Sequence, residues 1–499
     1  MQSPPNKIAI VGGGTAGWMA AAALSKVLPK EHYAIVLVES ADIPTVGVGE
    51  ATIPPIESFN KLLGIDPQAF MKATNATFKL GIEFINWGNV GDSYYHPFGT
   101  YGTDLHNLPF YQYWQRARQA GAAMRLEDYS VTAQMAMQKR FTPAQKISHS
   151  PLEKIQHAYH FDAALYAKYL RKIAESQGVV RIEDDVSHVI QHNSTGFIET
   201  LKTKKNTDIH ADFFIDCTGF SGLLIDKTLK TPYESWSKYL PCDSAKAVPC
   251  AKTDGLASHT KAIAHGFGWQ WKIPLQHRTG NGLVYSSSFW SDECAEKTLL
   301  MNIEGEPLSD VRQLRFTPGK RTKAWNKNCL SLGLSSGFLE PLESTSIHLI
   351  QSALSKFISL FPNFDDFSYE QRQFNKLVDN QMESIRDFII LHYKATQRED
   401  TAFWRYCKNM DIPNSLQEKI DLYKNTGHLM REGDDLFSEN SWLSVLEGQG
   451  QVCQKYNPLT HTAPINDLSA QLQGIRTVVK QCALQAPTHQ EFIDKYCKA

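Results

Sequence analysis

A glycine-rich turn close to the start of the chain constrains the fold more than any other feature of the sequence. A short apolar strand, Lys7 to Val11, runs directly into the segment GGGTAG at positions 12–17, and an alanine-rich helix follows from Trp18 to about Leu28. A second apolar strand, Tyr33 to Val38, ends at Glu39. This order of strand, glycine turn, helix, strand and acid is typical of a dinucleotide-binding unit built on a parallel sheet.

Three glycines of the turn have different roles in such a unit. Gly12 permits the turn, Gly14 lets the backbone approach a pyrophosphate, and Gly17 lets the helix pack closely on the strand. The phosphates are expected at the helix N-terminus, where free backbone N–H groups point at them. Glu39 is expected to accept a hydrogen bond from the adenosine ribose.

The rest of the nucleotide domain is predicted to be discontinuous in sequence. A helical pattern runs from His160 to about Ser176, a buried strand at 213–220 ends in a tight turn, and a strand at 329–332 leads into the glycine-rich segment 333–337. Strand character fills about 235–315, and a helical pattern begins at about Tyr369. We therefore expect an α/β chain with a discontinuous nucleotide domain at 1–90, 150–230 and 320–370, a sheet-containing insert at 91–149 and 231–319, and a helical C-terminal unit at 371–499.

The composition excludes several classes of partner. Lys plus Arg number 51 against 52 for Asp plus Glu, so the chain has no charge excess for binding nucleic acid or an anionic membrane. No apolar run approaches the ~18 residues needed to span a bilayer, and the start leaves no room for a signal peptide, so we expect a cytoplasmic protein. Nine scattered cysteines without a Cys-x-x-Cys pair argue against a disulfide framework and against a metal site.

Three further motifs accompany the nucleotide unit. The run WQWKIP, Trp269–Pro274, has the alternation of a strand that presents both indoles to one face, a pattern that a packed core strand would also explain. Lys79 lies in FKLGI, and Glu343 lies in PLEST at 341–345. In combination, these motifs resemble those of the flavin-dependent halogenases, specifically the tryptophan or indole branch, from about Ile8 to about Gly450.

The resemblance implies an FAD-binding Rossmann-type domain of the flavoprotein monooxygenase (glutathione-reductase-like) class. It implies that reduced FAD and O2 oxidise chloride or bromide to hypohalous acid, which then halogenates an indole-type aromatic. The sequence contains no second glycine fingerprint for NAD(P)H, which favours a separate flavin reductase as the source of reduced FAD. The cofactor positions assigned in this way are Gly12, Gly14, Thr15, Ala16, Gly17, Glu39, Ala51, Val186, Leu334 and Ile347.

The resemblance assigns the chemistry to Lys79 and Glu343. Burial should lower the pKa of Lys79, which would then either form a haloamine or, as an ammonium group, hydrogen-bond the hypohalous acid. Glu343 would stabilise the cationic ring intermediate; its alternative role is a carboxylate that caps a helix at 344–347. Thr345 and Ser346 resemble the halide positions, although related free-tryptophan enzymes usually have glycine at the second, and a flavin-packing loop without an anion is the alternative.

The same resemblance implies where the substrate lies. Trp269 and Trp271 would separate the flavin from the substrate, and His96 and Phe98 would stack on the indole ring. The alternative for His96 is ordinary packing in an aromatic loop. The segment VGVGEAT at 46–52 resembles the family's mobile strap over the flavin, with an ordinary surface turn as its alternative.

The resemblance weakens at the site for an amino-acid head group. Trp442 and Leu443 stand about where free-tryptophan enzymes have a tyrosine pair, so Trp442 would form an aromatic wall without hydroxyl donors. We therefore expect an indole without an amino-acid head group to be preferred. An aromatic hydroxylase of the same fold, which would consume NAD(P)H directly, and a non-catalytic flavin-binding protein remain alternatives, and a homodimer is left open.

Overall fold

Strands and helices alternate over most of the chain before a long helix opens the C-terminal region. The computed structural model describes residues 6–41, 49–253, 255–363, 366–433 and 435–499. Its strands are β1 (Asn6–Val11), β2 (Tyr33–Glu39), β3 (Glu50–Ala51), β4 (Thr77–Lys79), β5 (Gly81–Ile85), β6 (Ser93–Pro97), β7 (Ala158–Phe161), β8 (Val180–Glu183), β9 (Val186–Gln191), β10 (Ile198–Thr203), β11 (Asp208–His210), β12 (Phe213–Asp216), β13 (Tyr233–Ser235), β14 (Ser244–Ala251), β15 (Thr260–Ala264), β16 (Gly268–Pro274), β17 (Arg278–Tyr285), β18 (Arg312–Arg315), β19 (Gly319–Arg321), β20 (Trp325–Asn326), β21 (Cys329–Ser331) and β22 (Gly337–Phe338). Its helices are α1 (Thr15–Val27), α2 (Ile56–Leu63), α3 (Pro67–Thr74), α4 (Phe110–Gln119), α5 (Val131–Met137), α6 (Ala163–Ser176), α7 (Asp292–Met301), α8 (Ser346–Ser359), α9 (Ser368–Lys394), α10 (Ala402–Asn409), α11 (Asn414–Thr426), α12 (Glu439–Gly448), α13 (Ile465–Gln485) and α14 (His489–Tyr496).

The predicted nucleotide unit forms a parallel sheet. Its strand order is β20-β21-β12-β1-β2-β8, in which all neighbours except β20 and β21 run parallel. Successive residues of β1 face opposite sides, because Ile8 and Ile10 join the core that contains α1 while Ala9 and Val11 join a second core against β9–β11. Both faces are thus covered, as a parallel sheet requires.

The WQWKIP run lies inside a seven-stranded sheet of order β18-β14-β17-β16-β15-β5-β6. Trp269 pairs with Val284 and Trp271 with Gly282 on β17. A Cβ at position 282 would lie 2.0 Å from the Trp271 indole, so only glycine leaves room for this ring. Strand β5, which the sequence analysis places in the nucleotide domain, is hydrogen-bonded here between β15 and β6.

The C-terminal part is helical, as the sequence predicts. From Ser368 onward, the residues that the structure describes contain helices α9–α14 and no strand. The last two turns of α9, residues 385–393, are buried, and α12 packs against β6. One apolar core extends from α1 through the seven-stranded sheet to these helices. None of the helices within the described ranges is long and apolar enough to cross a membrane.

Candidate active site

The glycine turn presents open backbone at the start of α1. Gly12 has φ +109°, and a Cβ there would lie 2.3 Å from the carbonyl oxygen of Cys217, while a Cβ at Gly17 would lie 1.8 Å from the Gly12 carbonyl oxygen. At Gly14, by contrast, an added Cβ would meet no atom within 4 Å. Gly14 is also the N-cap of α1 and provides no side-chain cap, so the first amides of the helix remain free for an anion.

Glu39 lies against this turn. Its carboxylate oxygen would be 1.5 Å from a Cβ added at Gly13, and it accepts a hydrogen bond from the Trp18 indole nitrogen at 3.2 Å. The guanidinium of Arg181 also pairs with it. The acid at the end of β2 is therefore beside the glycine turn, as the sequence analysis expects of a ribose-binding residue.

The other predicted cofactor positions lie at several points of the fold. Gly333 lies between α1 and α8, because a Cβ there would be 3.1 Å from the Ala16 Cβ and 3.6 Å from the Cδ1 of Ile350, and Leu334 follows it in the same turn. Ile347 is in the first turn of α8. The remaining two positions lie on other sheets, with Ala51 paired to His160 in β3 and β7, and Val186 at the start of β9.

These features fit a dinucleotide such as FAD, and they make a test possible. Because position 14 has φ −74° and open space, Gly14→Ala should change the stability of the FAD-free protein by less than about 1 kcal/mol. The added methyl group would occupy the approach to the pyrophosphate, so FAD affinity should fall on the order of tenfold or more. Thermal unfolding without FAD and fluorescence titration with FAD measure the two effects.

Gly17→Ala is the matched control, because its Cβ would collide with backbone inside the protein. This variant should unfold at a clearly lower temperature or fail to fold. A Gly14→Ala protein that binds FAD as tightly as the unmodified chain would contradict the assignment of the turn.

Lys79 is completely buried at the end of β4. Its Nζ donates hydrogen bonds to the Thr52 carbonyl oxygen at 3.0 Å and to the Ser344 Oγ at 2.8 Å, and it lies 5.3 Å from the centre of the Phe98 ring. Burial lowers the pKa of Lys79 to about 7, against the opposing field of the Glu343 carboxylate. Amine and ammonium forms are therefore both populated near neutral pH.

Glu343 is held by two histidines. It ends the short turn Pro341–Glu343 and is 1% exposed. The Nδ1 of His96 lies 3.0 Å from both carboxylate oxygens, and the Nε2 of His392 lies 2.8 Å from Oε1. Burial acts to raise the pKa of Glu343, but the two histidines outweigh it and hold the pKa at about 2.

The segment after Glu343 forms an anion-type site at a helix N-terminus. Ser344 has φ +59°, and α8 begins at Ser346, two residues later than the helix start weighed in the sequence analysis. Thr345 is the N-cap and is fully buried, and its hydroxyl has no hydrogen-bond partner in the part of the chain that the structure describes. A buried free hydroxyl beside the amides of a first helical turn can hold a halide.

His96, Phe98 and Trp442 are all buried, and two further rings connect His96 with Trp442. Phe388 and Phe437 stack at 3.8 Å, Trp442 contacts Phe388 edge-on at 5.1 Å, and His96 lies 5.8 Å from Phe388. The result is a continuous aromatic wall that leads to Glu343.

Trp269 and Trp271 point to the same face of β16, with ring centres 6.1 Å apart, as the alternation predicts. The Trp269 indole nitrogen donates to Glu340 Oε2 at 2.8 Å, and the Tyr393 hydroxyl donates to the same oxygen at 2.6 Å. Burial raises the pKa of Glu340 to about 7. Positions 46–48 of the predicted strap lie outside the described residues; Ala51 and Thr52 are buried at the other end of that segment.

The sequence analysis missed four residues of this site. Ser344 appears there only within the PLEST motif, and Phe388, His392 and Phe437 are not among the candidate residues. A signal for His392 was available, because His392 and Tyr393 directly follow the apolar run FIIL at 388–391 on a buried helix. Buried polar side chains in such a run need partners, and here the partners are Glu343 and Glu340.

The parallel sheet with its glycine turn and the buried Lys79–Glu343 site together define a flavoprotein of the monooxygenase fold class. The family model described as tryptophan halogenase matches residues 7–465, and the chain belongs to this family. Tryptophan 7-halogenase RebH of Lentzea aerocolonigenes is 37% identical over 496 residues, which cover 92% of each chain.

Two solved structures are more similar. Xcc4156, a flavin-dependent halogenase from Xanthomonas campestris, has a TM-score of 0.96 at 44% identity and covers 100% of this chain and 99% of its own. BrvH, a flavin-dependent halogenase from Brevundimonas sp. BAL3, has a TM-score of 0.95 at 40% identity and covers 99% of both chains. The predicted fold class, the flavin-dependent halogenase function and FAD as cofactor are confirmed, and the hydroxylase alternative is not favoured.

Proposed function

We propose that this halogenase acts on a small indole-type aromatic without an amino-acid head group, and that Lys79 and Glu343 carry the reaction. When bound, reduced FAD from a separate flavin reductase would supply, with O2, the oxidising chemistry that converts chloride or bromide to hypohalous acid. The observation that carries this proposal is the burial of Lys79 and Glu343 beside one another, joined through Ser344 and flanked by an aromatic wall.

In this proposal, different residues bind the cofactor and the halide. The turn at Gly12, Gly14 and Gly17 and the start of α1 at Thr15 and Ala16 hold the pyrophosphate. Glu39 and Val186 would hold the ribose end, and Ala51, Leu334 and Ile347 would hold the flavin ring. Thr345 and Ser346 hold the halide at the start of α8. The Ser346 side chain, where relatives of the free-tryptophan type usually have glycine, influences which halide is preferred.

Lys79 directs the oxidised halogen. A pKa of about 7 supports either role near neutral pH, since the amine can attack hypohalous acid and the ammonium can donate a hydrogen bond to it. In both cases the halogen is held next to one ring carbon, because the lysine nitrogen is anchored by the Thr52 carbonyl and the Ser344 hydroxyl.

Glu343 stabilises the positive charge that the ring acquires during electrophilic attack. Its pKa of about 2 keeps it ionised, and a fixed buried carboxylate stabilises a cation without the reorganisation that water would require. His96 and Phe98 orient the substrate ring. Trp269 and Trp271 keep the substrate apart from the flavin, so that hypohalous acid reaches the ring and no oxygen atom is transferred to it directly from the flavin.

The substrate class follows from the aromatic wall. The Trp442 indole packs on Phe388, and Leu443 is completely buried. The Lys419 Nζ lies 5.1 Å from the centre of the Trp442 ring but already pairs with Asp435 at 2.8 Å. The nearby hydroxyl of Tyr101 is already paired with Ser444 at 2.7 Å. An amino-acid head group would therefore lose hydration without gaining partners, at on the order of 1–3 kcal/mol per unpaired polar group.

The experiment compares kcat/KM for indole and for free tryptophan with a flavin reductase and bromide present. Indole should be preferred by about tenfold or more, since one uncompensated polar group already accounts for that factor. Without a head-group anchor, halogenation should occur at C3, the intrinsically most reactive carbon of indole. Mass spectrometry over an aromatic library and NMR of the products identify the substrates and the position.

Trp442→Tyr is a variant that keeps an aromatic ring in the wall and adds one hydroxyl. It should narrow the difference between indole and tryptophan. A clear preference of the unmodified enzyme for tryptophan, halogenated at a benzo-ring carbon, would contradict the assignment of the head-group region. Failure to halogenate any aromatic would contradict the roles of Lys79 and Glu343.

A further inference from the structure

The two ring nitrogens of His392 both face hydrogen-bond acceptors. Nδ1 lies 2.8 Å from the carbonyl oxygen of Phe388, one turn earlier on α9, and Nε2 lies 2.8 Å from the Glu343 carboxylate. A carbonyl oxygen can only accept. The ring is completely buried, so water cannot supply an alternative partner.

A neutral imidazole carries only one N–H and cannot satisfy both contacts. Either His392 holds a proton on each nitrogen, or Glu343 holds the second proton and donates it to a neutral ring. Imidazole is ordinarily a stronger base than a carboxylate, and His96 also contacts both oxygens of the same carboxylate, so the geometry places the second proton on the ring. His96 differs, because only its Nδ1 faces the carboxylate and a single N–H satisfies that contact.

The groups that contact His392 from the neighbouring elements do not take up this second proton. The side chains of Phe84 and Trp87 contact the ring, and Gln449 donates to the backbone carbonyl of His392. Tyr94, on β6, accepts from Gln449, and burial raises its pKa well above its usual value, so it stays neutral. The charged or titratable groups nearest the pair are Lys79 and His96 around Glu343, and Glu340, which Tyr393 contacts on the adjacent position of α9.

We propose that His392 is an imidazolium in the working enzyme, the counter-charge of Glu343, and that it acts as a positioning residue for the reaction. A buried carboxylate without a paired cation is strongly destabilised and takes up a proton. The imidazolium keeps Glu343 ionised and at the same time offsets its field at Lys79. This second effect, which rests on the proposed function, allows Lys79 to release its proton near neutral pH.

The charge of His392 can be measured directly on the whole enzyme. Protein labelled with 15N-histidine contains 17 histidines, and the His392 signals are those lost in both His392→Gln and His392→Asn. At about pH 7.5, both ring nitrogens of His392 should have the shifts of protonated nitrogens. One unprotonated ring nitrogen would overturn the proposal, because the second proton would then be on Glu343.

His160 is an internal control for this measurement. It is equally buried, but its nitrogens contact the Thr77 and Thr260 hydroxyls at 3.0 and 2.9 Å, and a hydroxyl can donate or accept. One proton is enough there, and burial lowers the pKa of His160 well below its usual value. His160 should therefore show one unprotonated nitrogen in the same spectrum.

The kinetic consequence is tested with His392→Gln, whose side-chain amide still donates to Glu343 but carries no charge. The pH profile of kcat/KM should shift upward by about one unit, because either Glu343 or Lys79 then keeps a proton to higher pH. Turnover at neutral pH should fall on the order of tenfold, with little change in KM. An unchanged pH profile would overturn the positioning role.

If neither variant folds, the spectrum of the unmodified enzyme, assigned through its change in Glu343→Gln, still decides the charge. Its outcome does not depend on whether the enzyme halogenates indole.

Discussion

Replacing Lys79 with alanine is expected to lower the rate at which the organic substrate is halogenated by roughly a thousandfold or more. The same variant should still bind FAD, and O2 should still reoxidise its reduced FAD, because Lys79 acts after the halide has been oxidised. The physical reason is the absence of a second anchored amine for the halogen: among the described residues, Lys79 is the only completely buried lysine. Product formation and flavin reoxidation are measured in parallel, with and without bromide.

Lys79→Met controls for packing. Methionine fills most of the lysine volume, so a cavity is not created, but the hydrogen bonds to Thr52 and Ser344 are lost together with the amine. Both variants should lose halogenation while free hypohalous acid escapes to solution, where a chlorination-sensitive dye detects it. Substantial halogenation with unchanged regiochemistry in Lys79→Met would show that the lysine is structural.

Glu343→Gln is expected to have the second largest effect, a fall in kcat of about a hundredfold or more. Glutamine keeps the shape of the side chain and accepts one hydrogen bond, but it provides no negative charge for the ring cation. The glutamine side chain would also carry an N–H2 donor where Glu343 accepts hydrogen bonds from His96 and His392, so that donors would face one another. KM should change much less than kcat, since the interaction operates mainly in the transition state.

Glu340→Gln is the matched control for Glu343→Gln. Glu340 is also a completely buried glutamate in the same loop, but it contacts Trp269 and Tyr393 instead of the histidines. With a pKa raised to about 7, it is already partly protonated, and a neutral amide replaces it at little electrostatic cost. Its kcat should stay within about fivefold of the unmodified enzyme. Equal losses in both variants would assign the effect to the loop and not to the charge of Glu343.

Local sequence signals were sufficient to predict the nucleotide unit and to select Lys79 and Glu343 as the proposed reacting pair. A strand, a glycine turn and a helix are adjacent in sequence, and the nearest contact that requires glycine at 17 is with the Gly12 carbonyl of the same turn. The contact that requires glycine at 12 is with the carbonyl of Cys217, which directly follows β12 elsewhere in the chain. The alternation of Trp269 and Trp271 likewise depends only on the two-residue period of a strand. Lys79 and Glu343 were identified through motif resemblance, which carries residue identity but no contacts.

The partners of that pair were decided by the tertiary structure. Ser344 reaches Lys79 across 265 positions, His96 reaches Glu343 across 247, and His392 is brought to Glu343 by a helix that begins after Glu343 in the chain. No periodicity encodes such distances, because they arise from the packing of β4, β6 and α9 around one short turn.

The sequence by itself therefore determined the class of fold and the cofactor unit, and it predicted the two residues that we propose to react. The protonation states that make them reactive were decided only by the tertiary structure. Burial lowers the pKa of Lys79, and paired histidines hold down that of Glu343, and both effects depend on which groups exclude water from the site.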